Sequence, residues 1–471
     1  MYTSSLYRHS PVFVQNILVT TRSLARDALV RQKAYRRHLS TITETQWMNH
    51  KELRQFQNDQ LYSMLVHCQR YIDFYKAFLP ASLKPYRDDV FPLLNTLPKI
   101  DKHEVTHNTQ RFVRPKFCPR LFHGSTSGST GTPLEIYQDY NTIARESAFI
   151  ARQMQWAGYR LREPHIWLRG DMIVPASSSS DPYWRMDYHR NTLVMSAYHI
   201  SPQTCDAYIT AIESFKPVLI SAYPSAIGAL AQYLDSHNRD IGCTTIRAII
   251  TSSETLTPHV QEIVEKRFGA RIFDWYGSFE RIAAIGTCEY GSLHVLTDYS
   301  FLEFTAVGVG SFKLCGSTFQ NYTMPLLRYT MNDEFKGYSE EVSCKCGRHF
   351  PVVQRILGRE EDYVYTRRGY AVSRLAHIFK GVSGILGAQL VQDRVGEVSI
   401  FVVPISAGPR QNYKELILRN AHQRLGADME VAVQEVQALQ KTANGKVKFV
   451  ISNLEEKENN NVPYYHVGRI A

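Results

Sequence analysis

Strand-like and helix-like segments alternate through the middle of the chain, and this alternation limits the fold more than any other feature. The apolar runs have the length of buried strands, and the segments between them repeat apolar residues at helical spacing. The strand candidates are residues 165–169, 217–221, 246–252 and 271–275, and the helix candidates are residues 201–214, 222–236 and 257–268. Strands that alternate with helices form a largely parallel sheet with helical crossovers. We therefore expect an α/β fold whose large N-terminal domain contains mixed, largely parallel sheets and helices.

The pattern changes after residue 360, where a second domain is predicted. Its segments follow the order strand, helix, strand, strand, helix, strand, over residues 362–368, 373–380, 386–392, 397–403, 411–425 and 429–436. This βαββαβ order is typical of a small α+β domain. We expect an N-terminal domain over residues 1–357, a hinge at residues 358–362 and a C-terminal domain over residues 363–471.

Serine, threonine and glycine make up nine of the eleven residues from Gly124 to Leu134. Glycine allows the backbone to approach a ligand closely, and hydroxyl and N–H groups in such a loop can converge on a phosphate. The stretch lacks the lysine that ends the loop of P-loop nucleotidases. The same composition is also typical of a plain flexible loop. Other motifs must decide between these interpretations.

Two further motifs combine carboxylates with aromatic residues. Tyr276 and Glu280 flank a glycine at the end of a strand candidate, in the stretch Asp-Trp-Tyr-Gly-Ser-Phe-Glu. Ligands of open α/β sheets bind at the carboxyl ends of strands, and one carboxylate is enough for a Mg²⁺ ion that bridges phosphates. A solvated glutamate at a strand end is the alternative. The second motif is the stretch Pro-Leu-Leu-Arg-Tyr-Thr-Met-Asn-Asp, which ends at Asp333.

The order of these motifs resembles the adenylate-forming superfamily. Within it, the chain is most similar to phenylacetate–coenzyme A ligase and to the ligase-like proteins of capsular polysaccharide loci. The resemblance rests on separate motifs and covers roughly residues 10–455. It implies activation of a carboxylic acid by ATP and Mg²⁺ as an acyl adenylate. It also implies transfer of the acyl group to coenzyme A or to an amine, and a C-terminal domain that moves as a lid.

The resemblance assigns nucleotide binding to several of these motifs. The phosphate loop corresponds to Thr126, Ser127, Gly128, Ser129, Thr130, Gly131 and Thr132. Many relatives have a lysine where this chain has Thr132, so one charge is missing from the contact with pyrophosphate. Ser253 and Glu254 match a region that contacts adenine. From the residues alone, these two are equally well explained as a helix N-terminus with an early acid.

The remaining assignments concern the base, the ribose and the metal ion. Tyr276, with Gly277 and Ser278, matches the segment that lies on the adenine, and Glu280 matches the Mg²⁺ ligand. Asp333 matches the aspartate that binds both ribose hydroxyls, although the three residues before it differ from the family's Arg-Thr-Gly.

Three charged residues near or within the C-terminal domain complete the resemblance. Arg359 matches a second nucleotide contact, and Glu361 falls at the hinge. Lys446 matches the lysine that reaches the α-phosphate and the carboxylate during adenylation, a role that suits a point charge on a long side chain. A surface lysine in a polar turn is the alternative.

The pocket for the acid is the least defined part of the predicted site. By analogy, Tyr223 forms an aromatic wall, although an ordinary packed tyrosine is an equal alternative. Residues 282–286, Ile-Ala-Ala-Ile-Gly, would add a small apolar wall. No arginine or lysine in these segments indicates a charged substrate tail.

Cys288, His294, Cys344 and Cys346 form two pairs of soft metal ligands. Such a set suits a tetrahedral Zn²⁺ ion, and the Cys-Lys-Cys-Gly-Arg stretch resembles a zinc knuckle. The spacing departs from common zinc fingers, so free buried thiols with a core histidine are the alternative. A zinc ion here would be structural and would join residues 288–346 into one unit.

The formal net charge of +10, from 54 basic and 44 acidic residues, is compatible with several anionic partners. A basic helical segment at residues 11–46 either packs on the body of the protein or makes peripheral contact with a membrane. No apolar run is long enough to span a membrane, and the chain has neither a signal-peptide pattern nor a disulfide framework. We therefore expect a cytoplasmic protein.

Two other functions compete with the enzyme. A zinc-dependent nucleic-acid binder would concentrate basic residues around residues 288–346, but this region is rich in acids, so no nucleic-acid partner is expected. A non-catalytic nucleotide-binding scaffold would have lost Glu280, Asp333 or Lys446, and all three are present. The sequence does not distinguish a monomer from a homodimer.

Overall fold

The structure is a computed structural model. It describes residues 5–30, 33–114, 122–125, 134–175, 178, 181–359, 364–367, 371–372, 375–379, 381–405, 412–442 and 445–454. The chain divides into two compact units. Unit 1 comprises Met1–Thr21, Leu161–Ile272 and Gly358–Ala471, and unit 2 comprises Arg22–Arg160 and Phe273–Leu357. Among the described helices, none combines the length and the apolar composition that crossing a membrane requires.

The described α-helices are α1 (Ser5–His9), α2 (Val12–Val30), α3 (Lys33–Thr45), α4 (His50–Tyr71), α5 (Asp73–Lys76), α6 (Phe91–Thr96), α7 (Lys102–His107), α8 (Thr109–Phe112), α9 (Tyr140–Trp156), α10 (Cys205–Phe215), α11 (Pro224–Ser236), α12 (Pro258–Phe268) and α13 (Tyr413–Leu425). Two short 3₁₀ helices cover Lys84–Tyr86 and Leu375–Phe379.

The described strands are β1 (Phe122–Ser125), β2 (Glu135–Gln138), β3 (His165–Arg169), β4 (Trp184–Asp187), β5 (Thr192–Ser196), β6 (Leu219–Ala222), β7 (Ala248–Ser252), β8 (Arg271–Gly277), β9 (Ala284–Thr287), β10 (Leu293–Val295), β11 (Ser300–Gly308), β12 (Ser311–Thr318), β13 (Tyr329–Lys336), β14 (Val352–Val353), β15 (Arg355–Arg359), β16 (Val364–Tyr365), β17 (Ala371–Val372), β18 (Ile385–Gln392), β19 (Glu397–Pro404), β20 (Glu430–Glu435) and β21 (Val450–Ser452).

Unit 1 contains the predicted parallel strands. They lie in the order β7-β6-β3-β5-β4, and all neighbours pair in parallel except β4 and β5. Strands β6 and β7 are buried along their whole length, as expected for apolar runs covered on both faces. The α/β fold class with a largely parallel sheet is therefore confirmed. Strands β4 and β5, which lie at the edge of the sheet beside β3, were not predicted.

Helix α2 begins in unit 1 and contacts β4 through polar side chains. Asn16 Oδ1 accepts a 3.0 Å hydrogen bond from the backbone N–H of Met186, and Gln15 accepts one from the Arg185 side chain. Phe13 and Ile17 on the same helix remain 66% and 53% exposed. The start of this helix thus packs on the protein body, and peripheral membrane contact stays a prediction.

The C-terminal residues form a small sheet in the order β20-β19-β18-β21. Strands β18 and β19 are antiparallel, whereas β20 and β21 pair in parallel with their neighbours. A compact apolar core lies beneath α13, with Leu390, Ile400 and Ile417 fully buried. The helix predicted at residues 373–380 is only a 3₁₀ helix, since Gly381 and Gly384 both take positive φ just after it. The hinge at residues 358–362 stays a prediction.

Unit 2 contains two sets of neighbouring strands, in the orders β8-β9-β10-β14 and β11-β12-β13-β15. The pairings of the first set and those of β12 with β11 and β13 are antiparallel. Strands β11 and β12 form an antiparallel hairpin, and Gly310 takes a positive φ of 67° in its turn. The buried residues between these strands and α4 form one hydrophobic core, and β8 and β13 pack against it. Strand β8 carries Tyr276 and Gly277, and strand β13 carries Asp333.

Candidate functional site

Tyr276 and Asp333 meet in unit 2. The Tyr276 hydroxyl donates a 2.9 Å hydrogen bond to Oδ2 of Asp333. Tyr276 lies near the end of β8, and its ring packs edge-on against Phe335 of β13, with ring centroids 5.3 Å apart. Residue Phe335 follows Asp333 by two positions, so both contacts of the tyrosine are made on the same face of one strand. The structure therefore brings together the aromatic residue and the carboxylate predicted for the base and the ribose.

Glu280 lies in the turn that follows β8. Ser278 shapes this turn, since its buried hydroxyl accepts hydrogen bonds from the backbone N–H groups of Ile282 and Ala283, at 3.0 and 3.4 Å. Arg281, at a positive φ of 62°, forms a buried ion pair with Glu146, 2.9 Å apart. Glu280 is half-buried, and the contacts of Ser278 and Arg281 on either side of it hold its turn in place. Such a carboxylate is a hard oxygen donor of the kind that Mg²⁺ prefers.

The predicted phosphate loop, Thr126, Ser127, Gly128, Ser129, Thr130, Gly131 and Thr132, lies outside the described residues. The strands on either side of it are described. Strands β1 and β2 pair in antiparallel, with Ser125 opposite Glu135. A Cβ atom on Gly124 would lie 2.6 Å from the ring of Phe279, so only glycine fits there without movement of the ring. Gln138 Nε2 also donates to the Phe279 carbonyl at 3.0 Å, which places both strands against the turn of Glu280.

Glu254, in unit 1, follows β7 and binds the N-terminus of α11. Its carboxylate accepts hydrogen bonds from the backbone N–H of Ser225 at 2.9 Å and from the Ser225 hydroxyl at 3.0 Å. Burial raises the pKa of Glu254, although these hydrogen bonds favour its ionised form. Tyr223 is the N-cap residue of the same helix and is buried. Glu254 and Tyr223 therefore share one corner of unit 1.

Lys446 lies beside this corner. Its Nζ is 6.0 Å from the centre of the Tyr223 ring, and the backbone N–H of the next residue, Val447, donates to Glu254 at 2.9 Å. The turn before Lys446 fits closely because Gly445 takes a positive φ of 72°. A Cβ atom on Gly445 would lie 2.8 Å from the ring of Tyr198, so the glycine is required for this approach. Three predicted site residues from distant parts of the sequence are thus neighbours.

Arg169, at the carboxyl end of β3, faces the same tyrosine. Its guanidinium carbon lies 5.2 Å from the centre of the Tyr223 ring and 5.0 Å from that of Trp167. Its Nη2 donates to the Ser253 hydroxyl at 2.8 Å and also to the Ser252 hydroxyl. Burial lowers the pKa of Arg169. Among the described residues, none places a carboxylate within 4.0 Å of this cation.

Lys441 is a second buried cation near this corner. Its ammonium donates to the carbonyl of Ala197 and lies 5.9 Å from the centre of the Tyr198 ring. Burial lowers the pKa of Lys441 to about 8. Together with Arg169 and Lys446, it makes this part of unit 1 rich in positive charge and aromatic surface.

The other predicted residues are placed as follows. Gly277 ends β8, and Arg359 ends β15 directly after Gly358, which has a positive φ of 91°. Glu361 lies outside the described residues. The four predicted zinc ligands, in unit 2, are brought together, with their ligand atoms all within 4.8 Å of one another.

Comparisons with known proteins agree with this architecture. Residues 364–453 match the family described as the CapK C-terminal domain. Protein CapK of Staphylococcus aureus is 23% identical over 453 residues, which cover 96% of this chain and 99% of CapK.

Solved structures are similar over most of the chain. 2-Hydroxyisobutyryl-CoA ligase in its postadenylation state, in complex with R3-HIB-AMP, has a TM-score of 0.63 at 15% identity and covers 88% of this chain and 92% of its own. The same ligase in the thioesterification state, with 2-HIB-AMP and CoA, has a TM-score of 0.52 at 16% identity and covers 87% and 91%. The chain has the fold of the adenylate-forming ligases. The fold that the resemblance to the adenylate-forming superfamily implies is thereby confirmed.

Arg169 was not predicted as a site residue, although its position in the sequence could have indicated one. The apolar run of β3 ends with this arginine, and ligands of open α/β sheets bind at the carboxyl ends of parallel strands. The contact with Tyr223 depends on β3 and β6 being neighbours, and this pairing is not encoded in a local motif. No comparable sequence signal points to Lys441, whose burial depends on packing against residues 197–198.

Proposed function

We propose that this protein activates a carboxylic acid with ATP and transfers the acyl group to a nucleophile. In the first step a carboxylate oxygen attacks the α-phosphorus of ATP, the bond to the β-phosphate breaks, and an acyl adenylate and pyrophosphate form. In the second step a thiol or an amine attacks the acyl carbon, AMP leaves, and the nucleophile loses a proton. The observation that most supports this proposal is the position of Lys446 beside Tyr223 and Glu254.

Each residue has a defined task in the proposed reaction. Lys446 stabilises the negative charge that develops on the α-phosphate, because a cation placed in advance at that point lowers the barrier. Asp333 accepts hydrogen bonds from the ribose hydroxyls, and the hydroxyl of Tyr276 fixes the orientation of its carboxylate. Tyr276, Ser253 and Arg359 contact the nucleotide, and residues 126–132 bind its phosphates.

Glu280 would hold the Mg²⁺ ion, since it offers a hard carboxylate oxygen on an anchored turn. The ion, when bound, would neutralise part of the charge on the phosphates. We propose a further task for Glu254, beside the adenine contact that the resemblance implies. Its oxygens already accept three hydrogen bonds from Ser225 and Val447, which supports a role in positioning the turn of Lys446.

The proposal is tested by acid-dependent exchange of radiolabelled pyrophosphate into ATP. The chain is incubated with ATP, Mg²⁺ and a panel of aliphatic, aromatic and hydroxy acids. We expect exchange with at least one class of acid, and loss of that exchange in Asp333→Asn, whose amide offers one uncharged acceptor oxygen to the ribose in place of the two carboxylate oxygens. Absence of exchange across the panel, together with absence of ATP binding in calorimetry, would refute the proposal.

The acyl acceptor is coenzyme A or an amine. Once the acid is known, the two are separated by mass spectrometry of the products formed with coenzyme A and with amines of sugars and amino acids. The similarity to CapK supports a role in polysaccharide assembly. A product formed only with coenzyme A and an acid of aromatic catabolism would point to the alternative setting of phenylacetate–coenzyme A ligases.

A further inference from the structure

Two turns meet at one end of an antiparallel sheet in unit 2. Cys288 begins the turn between β9 and β10, and His294 lies in the middle of β10. Cys344 and Cys346 belong to the turn that precedes β14, and β14 pairs with β10 through His294 and Val352. Cys288, His294 and Cys346 are buried, and Cys344 is half-buried. The sheet itself therefore places two pairs of soft ligands side by side.

The distances between these side chains match a tetrahedral zinc site. The Sγ atoms of Cys288 and Cys344 are 3.7 Å apart, and Cys346 Sγ lies 3.3 Å from His294 Nε2. Zinc–sulfur bonds of about 2.3 Å and zinc–nitrogen bonds of about 2.0 Å at tetrahedral angles separate two sulfur ligands by about 3.8 Å and a sulfur from a nitrogen ligand by about 3.5 Å. A disulfide would need a sulfur–sulfur distance of about 2.0 Å and would use only two of the four groups.

The surroundings of the ligands also suit a metal. The ring Nδ1 of His294 lies 3.1 Å from the Phe350 carbonyl, which accepts a hydrogen bond from it and leaves Nε2 free to face the sulfur atoms. Backbone N–H groups of Tyr290 and Arg348 point at the Sγ atoms of Cys288 and Cys346, at 3.4 and 3.5 Å. Such N–H groups stabilise thiolates. In each turn a glycine with positive φ, Gly291 or Gly347, allows this backbone path.

We propose that Cys288, His294, Cys344 and Cys346 bind one structural Zn²⁺ ion. Binding releases the thiol protons, and four protein ligands leave no open position for catalysis. The ion would join the turn that follows β9 to the segment that leads into β14 and β15. This inference does not depend on the proposed acid activation.

The turn that contains Cys344 and Cys346 also contacts the helices of unit 2, through Arg348. This arginine pairs with Glu289 at 2.7 Å, donates to Gln46 at 3.1 Å and lies 4.1 Å from the centre of the Trp156 ring. Trp156 ends α9, so the metal would hold one end of the sheet against that helix. Loss of the ion should therefore loosen unit 2 as well as the two turns.

The test is the metal content and thermal stability of the full chain, purified without an affinity tag under reducing conditions. We expect about one zinc per chain by elemental analysis. Cys344→Ser should reduce the zinc content at least about tenfold and lower Tm, because three ligands remain for a metal that needs four. Cys243→Ser is the matched control, since Cys243 is a buried cysteine outside the cluster, and it should retain the zinc.

A second measurement covers the case in which Cys344→Ser fails to fold. The wild-type chain is exchanged with Co²⁺, and thiolate-to-cobalt charge transfer with tetrahedral d–d bands is expected. A folded wild-type chain that carries no zinc and gives no such bands with added Co²⁺ would overturn the proposal. A disulfide between Cys288 and Cys344 in the native protein would also overturn it.

Discussion

The backbone N–H of Val447 donates a 2.9 Å hydrogen bond to Oε1 of Glu254. Because the other hydrogen bonds of this carboxylate go to Ser225 at the start of α11, Glu254 joins the helix to the turn that carries Lys446. The turn is thus held where Lys446 faces Tyr223, 6.0 Å from its ring centre. A lysine in a polar turn, which could have been an ordinary surface residue, therefore has a fixed place.

Replacement of Lys446 by alanine should reduce pyrophosphate exchange by roughly 10²–10³, the usual effect of removing one preorganised charge from a transition state. The affinity for ATP should change little, since the lysine acts on the developing charge. Lys448→Ala, two residues away, is the matched control and should keep the wild-type rate. An unchanged exchange rate in Lys446→Ala with a normal thermal melt would contradict the proposed role.

Tyr276→Phe removes the hydroxyl that binds Asp333 and keeps the ring. A neutral donor to a carboxylate contributes about 1–2 kcal/mol, so the Kd for ATP should rise roughly five- to thirtyfold. Titration calorimetry with ATP measures this change. Tyr290→Phe, on a tyrosine that is 57% exposed, should leave the Kd unchanged. Equal ATP affinities in wild type and Tyr276→Phe would show that the hydroxyl does not position the aspartate for the nucleotide.

Arg169 should select the acid substrate. Its guanidinium faces Tyr223 and is held by Ser253, and the described residues provide no carboxylate partner for it. We expect Arg169→Met to raise KM for the acid about tenfold or more while KM for ATP stays similar, since a charge-assisted hydrogen bond to an anionic oxygen is lost.

Arg169→Lys should rescue this defect only in part, because an ammonium cannot reproduce the planar, two-sided contact between aromatic rings. Arg394→Met, on an exposed arginine of unit 1, serves as the control for a general loss of charge. If KM for ATP and KM for the acid rise together, with a lower Tm, Arg169 supports the packing of Trp167 and Tyr223 and does not select the acid.

The fold was largely predictable from the sequence where apolar runs coincide with strands. Strands β6 and β7 are continuous apolar runs because both faces are buried, and such runs need no tertiary information to be recognised. Strand β4 escaped prediction because its charged residues Arg185 and Asp187 become buried only through their partners. Its strand character is thus a property of the sheet, whereas the missed strand β5 is a short buried run that is apolar in its own sequence.

The candidate site was predictable in composition but not in arrangement. The motifs identified Asp333, Tyr276 and Lys446, but the hydrogen bond between Tyr276 and Asp333 follows from strand packing. Glu254 matches a region that the resemblance assigns to adenine contact, and its hydrogen bonds to Ser225 at the N-terminus of α11 could not be predicted from that match. The alternative prediction, a helix N-terminus with an early acid, is consistent with these hydrogen bonds. The helix whose N-terminus Glu254 binds is α11, however, and not α12, which follows Glu254 in the chain.

Lys441 gives a prediction about pH. Its pKa in the folded protein is lowered by burial to about 8, from 10.5 for a free lysine. Between these two values the unfolded chain binds more protons than the folded one, so this residue makes the protein more stable as pH rises. Below the folded pKa, the lysine is charged in both states, and the cost of burying its charge is fully present.

Lys441→Met removes this cost. The variant should therefore gain most in free energy of unfolding, relative to wild type, near pH 7, and its advantage should shrink by about 1–3 kcal/mol towards pH 10. Lys441→Arg is the matched control, because an arginine stays charged across this range and should fall further behind wild type as pH rises. Urea denaturation of the three proteins at several pH values measures both differences. If the free energy of unfolding changes with pH in the same way for all three proteins, the ammonium of Lys441 is solvated in the folded protein, and its burial beside Ala197 does not destabilise the fold.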